Sequence, residues 1–355
     1  MVPDNFLHLE ACLEKHRKGD GCYLHLCSGR LFGGIERMLL AIAGGCSGRS
    51  GGLHQFACCN LGIFSRNLES LQLNSNLIGP TWIRNPISLF KSRSRFSSLM
   101  ESLKPSLVIC HDSWAQAIFG NLVLRKKIPF VRMLHTLTGS KAGLMDRISM
   151  AAKPSCFIAN SYSTKASFES ANPGISCDVC YPPCILGDKA LSTQKRISLR
   201  SQLSVNPETK VILMAGRFEG YKGHRVLLKA VSMLPMEKQW ECWIGADAQK
   251  PKEKSYKKAL QVMSNALGVS SRVRWLGHID SMDDFFAAAD VYCQPNTSPE
   301  SYGMTLVEAQ AMGCPVVTTA FGGAMETVAR NGKNILLQSP IPENVNLAIR
   351  TVLGF

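Results

Sequence analysis

The stretch richest in reactive groups lies late in the chain: Ser298-Pro-Glu-Ser-Tyr-Gly-Met-Thr-Leu-Val-Glu308-Ala-Gln-Ala-Met-Gly-Cys-Pro-Val-Val317. An apolar run ending near Gln294 gives way to a loop, and a helix is expected from near Gly303 to about Met312. The leading amides of such a helix, Gly303, Met304, Thr305 and Leu306, lack intrahelical acceptors and stand at the positive end of its dipole, which suits a diphosphate. Glu300 precedes that turn and Glu308 lies inside the helix, so two carboxylates can flank the anion and accept hydrogen bonds from diols, one from a sugar and the other from a ribose. Upstream, Gly216-Arg217-Phe-Glu-Gly-Tyr-Lys222-Gly223 ends another apolar run and carries two cations that can face a departing nucleoside diphosphate. Each feature alone has a plainer reading. Glutamates at this spacing are common on solvated helices, and a single surface base mostly forms a salt bridge.

The first half carries sparser candidates. Ser28-Gly-Arg-Leu-Phe-Gly33-Gly34-Ile-Glu-Arg37 follows an apolar run and opens a helix, yet it is not the G-x-G-x-x-G fingerprint, and no acidic residue follows near a second strand end. An ordinary tight turn would also account for Gly33 and Gly34. His135 follows the run 130–134, and His111, in Cys-His-Asp112, ends another and can help form an acceptor side. A lone histidine at a strand end is more often structural. Cys177, Cys180 and Cys184 form a C-x2-C-x3-C run, but Pro182 and Pro183 break it and a fourth ligand is lacking, so free thiols are expected rather than a metal.

All these residues stand where short apolar runs stop, and those runs are the elements that must position them. In the first half they cover 22–27, 55–60, 106–110, 129–134 and 156–159; in the second, 210–215, 241–245, 272–276, 291–294, 315–319 and 334–337. Each is followed by a segment of helical character, the rhythm of a parallel α/β sheet. The expected division is a first Rossmann-like domain over 1–187, a linker over 188–207 rich in Pro, Gly and polar residues, and a second Rossmann-like domain over 208–355. In such sheets ligands sit beyond the carboxyl ends of the strands, so two facing halves would enclose a central cleft.

With 355 residues, 45% of them hydrophobic and 19% charged, the chain has enough apolar material for two cores, which excludes disorder and a disulfide-knotted miniprotein. Lys and Arg number 40 against 26 Asp and Glu, a net +14 that favours an anionic partner. Residues 1–187 hold 20 bases against 11 acids, and residues 188–355 hold 20 against 15, so the first domain is the more basic. Lys91, Arg93 and Arg95 share a segment with Leu89, Phe90, Phe96 and Met100, which can form a membrane-surface helix or the solvated side of an ordinary amphipathic one. No nucleic-acid motif accompanies the charge, so nucleic acid is not an expected partner. Fourteen dispersed cysteines, no spanning segment and no apolar leader in the first twenty residues point to a cytoplasmic protein, peripheral on the inner membrane face where it meets lipid.

Glu300 and Glu308 form an E-x7-E pattern. With Gly313, Pro315-Val316-Val317, Gly322-Gly323 and Glu326 in order over some 30 residues, it resembles the donor site of the retaining glycosyltransferases of family 4, which have the GT-B fold. The resemblance covers about residues 22–338, most closely from 211 on. It implies an α/β, GT-B architecture of two Rossmann-like domains facing a central cleft. It implies metal-independent, retaining transfer of a sugar from a nucleotide-sugar co-substrate, UDP- or GDP-linked, to an acceptor hydroxyl, with no further cofactor. The acceptor would be a sugar or a lipid-linked molecule of the cell envelope. Arg217 and Lys222 would then stabilise the leaving diphosphate, Glu300 orient the sugar and Glu308 hold the ribose. Gly33 and Gly34 match the family's Gly-Gly-x-Glu-Arg loop at the donor, and His135 its histidine near the donor sugar. No D-x-D occurs, so metal chelation in the manner of the other large glycosyltransferase fold is not expected. The resemblance also implies a returning crossover helix, expected to be short or missing here because only residues 349–353 and the end at Phe355 follow. A nucleotide-sugar-binding or scaffolding protein with a decayed site is the other reading, and an epimerase or phosphorylase fits the E-x7-E context less well.

Overall fold

Runs rich in Val, Ile, Leu and Cys, closed by Gly, Asn, Gln or His, form thirteen strands among the described residues. The computed structural model describes the chain except for residues 1–4, 30–32, 47–52, 74, 140–142, 185 and 247. Two units separate, Met1–Ile185 and Leu186–Phe355. The first holds β1 (Tyr23–Cys27), β2 (His54–Cys58), β3 (Ser75–Leu77), β4 (Leu107–Cys110), β5 (Phe130–Leu134), β6 (Cys156–Ala159) and β7 (Asp178–Val179), in the order β3-β2-β1-β4-β5-β6-β7. The second holds β8 (Lys210–Ala215), β9 (Trp240–Gly245), β10 (Val273–Gly277), β11 (Val291–Gln294), β12 (Val316–Thr319) and β13 (Ile335–Leu337), ordered β10-β9-β8-β11-β12-β13. All pairings are parallel. Each sheet is thus Rossmann-like, with its direction of growth reversing between β1 and β4 and between β8 and β11.

Helices cover both faces of these sheets, which is why the central strands are buried throughout rather than on alternate residues. In the second unit Ile212 and Met214 of β8 enter one core with Leu227, Leu228 and Ile349, while Val211 and Leu213 enter another with Trp243, Phe286 and Tyr292. Burying each such side chain stabilises by roughly 1.5–3 kcal/mol. In the first unit Leu24, Leu26, Phe96 and Phe119 build the equivalent layer.

Three details differ from the sequence expectation. Residues 188–207, expected as a linker, hold a 3-10 turn at Lys189–Leu191 and a helix at Ser192–Gln202, both within the second unit. Leu199 and Leu203 pack that helix against the core, and charge anchors it: Arg196 and Arg200 each reach Asp290 at 2.8 Å, and the buried Arg200 also donates to the carbonyls of Ala288, Pro207 and Thr209. On the helix Pro86–Leu103, Phe96 and Met100 turn into the core and Leu89 packs against it, whereas Phe90 is 74% exposed. The four therefore do not form one outward apolar face. The short strand β3, with its polar Ser75 and Asn76, carried no apolar run to announce it.

Candidate active site

In the second unit the loops after β8 and β11 leave the sheet side by side at its reversal point. Lys222 comes from the first and Glu300 from the second. Gly223, at φ +85°, makes the approach possible, since a Cβ there would lie 2.0 Å from the Pro295 carbonyl oxygen. Lys222 Nζ donates to Glu300 Oε2 at 2.6 Å, and Gln294 Nε2 and Asn296 Nδ2 each donate to the same oxygen at 3.1 Å. Gln294 Oε1 in turn accepts from the Tyr292 hydroxyl at 2.7 Å and from Thr305 Oγ1 at 3.3 Å. Burial alone would raise the Glu300 carboxyl; the Lys222 ammonium and these donors outweigh it, and its pKa lies below the ordinary value. Burial likewise opposes the charge on Lys222, but Glu300 holds its pKa above the ordinary value. Both groups are therefore charged at neutral pH, a buried ion pair with its hydrogen bonds supplied.

Glu300 is fixed from behind as well. The Gly323 amide donates to its carbonyl at 2.7 Å, and Gly322, at φ +62°, lies so close that a Cβ would stand 2.2 Å from that oxygen. This is a structural reason for the Gly322-Gly323 pair.

The helix expected after Glu300 runs from Met304 to Ala311 with Gly303 as its N-cap. The Leu306 amide donates to the Gly303 carbonyl at 2.9 Å, so it is committed within the turn, and Met304 and Thr305 lead the helix. Thr305 joins the Gln294 network, which ties the helix mouth to Glu300. Glu308, one turn deeper, is buried. Burial pushes the Tyr292 phenol above its ordinary range, and the carboxylates of Glu300 and Glu308 add to that. Arg217 departs from the cluster: its guanidinium, 38% exposed, meets Glu219 at 3.1 Å rather than Glu300.

In the first unit the loop after β1 reaches the helix Gly34–Cys46. The Gly33 amide donates to Glu36 Oε2 at 2.9 Å, so this amide is held within its own helix turn; Arg30, Leu31 and Phe32 of the same loop lie outside the described residues. Beside it, Asp112 caps the helix Ser113–Arg125, accepting from the Ala115 amide at 2.7 Å and from the Ser28 amide at 3.0 Å. His111 and His135 follow β4 and β5, and their rings meet at 3.0 Å between Nδ1 and Nε2. Burial first, then Arg132, lowers the His135 pKa to about 3, so its ring is neutral. Asn160 Nδ2 donates to the His135 carbonyl at 3.4 Å. Cys177, Cys180 and Cys184 are buried, reduced thiols. None of the three belongs to the one group of close donor atoms among the described residues, His16, Cys156 and Asp178.

The structure thus brings Lys222, Glu300 and the mouth of the Met304–Ala311 helix together, and it groups Gly33, His111 and His135 with the carboxyl ends of the first sheet. Sequence reasoning missed Gln294, Asn296 and Tyr292, the groups that orient Glu300. Their signal was a buried strand ending in Gln and followed at once by Pro and Asn, polar groups that need partners.

The family described as glycosyl transferases group 1 matches residues 195–354. A D-inositol 3-phosphate glycosyltransferase of Xylanimonas cellulosilytica is 32% identical over 184 residues, 51% of this chain and 41% of that protein. The lipopolysaccharide core biosynthesis glycosyltransferase LpsE of Rhizobium meliloti is 33% identical over 138 residues, 39% of this chain and 37% of its own length. These matches span less than half of either relative. Among solved structures, Anabaena HepE in complex with UDP and glucose superposes with a TM-score of 0.81 at 23% identity, covering 94% of this chain and 89% of that one. The second unit thus matches the group 1 glycosyl transferases in sequence, and the two Rossmann-like units have the GT-B fold.

Proposed function

We propose that this protein transfers a sugar from a nucleotide-sugar donor, with retention, to an acceptor hydroxyl. The observation that carries the reading is the buried Lys222–Glu300 pair beside the mouth of the Met304–Ala311 helix, at the reversal point of the second sheet. An ammonium has three N–H groups, and one of those on Lys222 goes to Glu300. A diphosphate at the helix mouth would take up others, and its growing charge would also draw Arg217 from the single carboxylate of Glu219. Glu300, its carboxylate aimed by Lys222, Gln294 and Asn296, would orient the sugar, while Glu308 would hold the ribose. Loss of the diphosphate leaves oxocarbenium character on the sugar. A phosphate oxygen would accept the acceptor's proton on the face the leaving group departs from, so no carboxylate need act as nucleophile.

The relatives support a sugar donor in kind, and HepE binds UDP and glucose; we propose a UDP- or GDP-linked donor here. The proposed acceptor is a sugar or lipid-linked molecule of the envelope, in keeping with the lipopolysaccharide role carried by the name of LpsE. No helix among the described residues is long and apolar enough to cross a membrane. A peripheral contact with the cytoplasmic face is proposed instead through Trp82, Ile83, Ile87 and Phe90, exposed apolar groups near the exposed cations Lys91 and Arg95. A thermal-shift screen of UDP-, GDP- and ADP-sugars, followed by donor hydrolysis with the preferred one, tests the reading. Stabilisation with slow hydrolysis fits a transferase; stabilisation without any turnover fits a binding protein.

A further inference from the structure

Four of the eight histidines stand in file across the first sheet. His54 opens β2 opposite Tyr23, and His25 lies two residues further along β1, opposite Ile109. His111 is two residues beyond Ile109, and the register of Ile109 with Val131 sets His135 two residues further again. Steps of two keep side chains on one face of a sheet, so the rings climb diagonally from the amino edge to the carboxyl edge. His54 Nδ1 meets His25 Nε2 at 2.8 Å, His25 Nδ1 meets His111 Nε2 at 2.9 Å, and His111 Nδ1 meets His135 Nε2 at 3.0 Å. Successive rings are tilted by only 25°, 17° and 24° with centroids 5.1–5.2 Å apart, so these contacts run edge to edge.

A neutral imidazole has one N–H and one lone pair. A file of neutral rings joined in this way therefore has two arrangements. Either every ring is protonated on Nδ1 and donates forward toward His135, or every ring is protonated on Nε2 and donates backward toward His54. The sealed end chooses between them. His54 Nε2 is buried and has no hydrogen-bond partner among the described residues. Protonation there would bury an N–H without an acceptor, a defect folded proteins largely avoid, whereas the forward arrangement leaves only a lone pair. Burial depresses the pKa of all four rings, to about 4 at His54 and about 3 at His135, and Arg132 beside His111 and His135 opposes any positive charge there. Because His54 Nε2 is closed to solvent, no proton enters or leaves at that end, and the file holds a proton in place rather than conducting one.

We propose that His54, His25 and His111 are positioning residues that lock His135 as its Nδ1–H tautomer, making it a fixed hydrogen-bond donor, and not a base, at the carboxyl edge of the first sheet. The tautomer follows from the ring contacts, the closed end at His54 and the burial that keeps the rings neutral. What the proton meets, an oxygen of the sugar or of the diphosphate, rests on the transferase reading.

Long-range proton–nitrogen NMR of the full chain with 15N-labelled histidine, at pH 7, reads the tautomer directly, because protonated and bare ring nitrogens resonate far apart. His135 is assigned by its loss in His135→Asn. All four rings are expected as Nδ1–H; an Nε2–H, charged or mixed His135 in the parent would overturn the lock. In His25→Gln the amide can either donate or accept toward His111, so both tautomers should then appear at His135, and donor turnover should fall roughly tenfold or more with KM little changed. Mixed tautomers with unchanged turnover would remove the positioning role. The parent spectrum decides the lock even where the variant does not fold. An Nδ1–H His135 with no turnover of any nucleotide sugar would instead count against the transferase reading alone.

Discussion

At the scale of the residue, Glu300 and Lys222 depend on each other. Removing one partner of a buried pair leaves the other charged and unmatched, which costs about 3–5 kcal/mol. Lys222→Ala is therefore expected to lower the melting temperature as well as donor affinity and turnover, checked by thermal unfolding beside steady-state kinetics. Glu308 lies deeper and is assigned to a part of the donor that does not react. Glu308→Ala should weaken diphosphate binding by about 1–3 kcal/mol, read by calorimetry, with a smaller effect on kcat. His135→Ala should reduce turnover by about 10²-fold while leaving nucleotide binding nearly intact, and unchanged turnover would make the residue structural. The pair also sets a pH window. The lowered Glu300 pKa contributes stability that is complete above the ordinary carboxylate range and is lost as pH falls through its folded value. The raised Lys222 pKa contributes stability that is complete below the ordinary lysine range and is lost as pH rises through its folded value.

At the scale of the element, strands were legible where burial on both faces demanded unbroken apolar runs, as in residues 210–215 and 291–294, and the helix after Glu300 was legible from Gly303 and the apolar residues that follow. What escaped was structure held by polar contacts. The helix Ser192–Gln202 reads as a linker because its sequence is mostly Ser, Gln, Lys and Arg, and its anchor, Asp290, lies some 90 residues away. Asp290 also accepts from the Val211 amide at 2.7 Å, so it joins the helix to the first strand of its sheet. Asp290→Ala should destabilise the second unit by about 3–5 kcal/mol in denaturant unfolding, since it strands the buried Arg200. The same reasoning explains why Glu300 was found from its spacing while Gln294 and Asn296, which aim its carboxylate, were not. A hydrogen-bond network across separate segments has no period in the sequence.

At the scale of the whole molecule, the net charge of +14 and the exposed Trp82, Ile87 and Phe90 lead to an expectation about surfaces. The chain should float with liposomes rich in acidic lipid and release them as salt rises, and binding equal at low and high salt would count against an electrostatic contact. The chain's central claim to function, however, rests on the second unit and its neutral-pH ion pair. Release of free nucleoside diphosphate from the preferred nucleotide sugar, followed in the parent and in Glu300→Gln, tests it most directly. The account predicts slow, measurable release by the parent and a loss of roughly 10²-fold or more in the variant, with diphosphate affinity largely kept. Release by neither protein with any nucleotide sugar, or equal release by both, would contradict it.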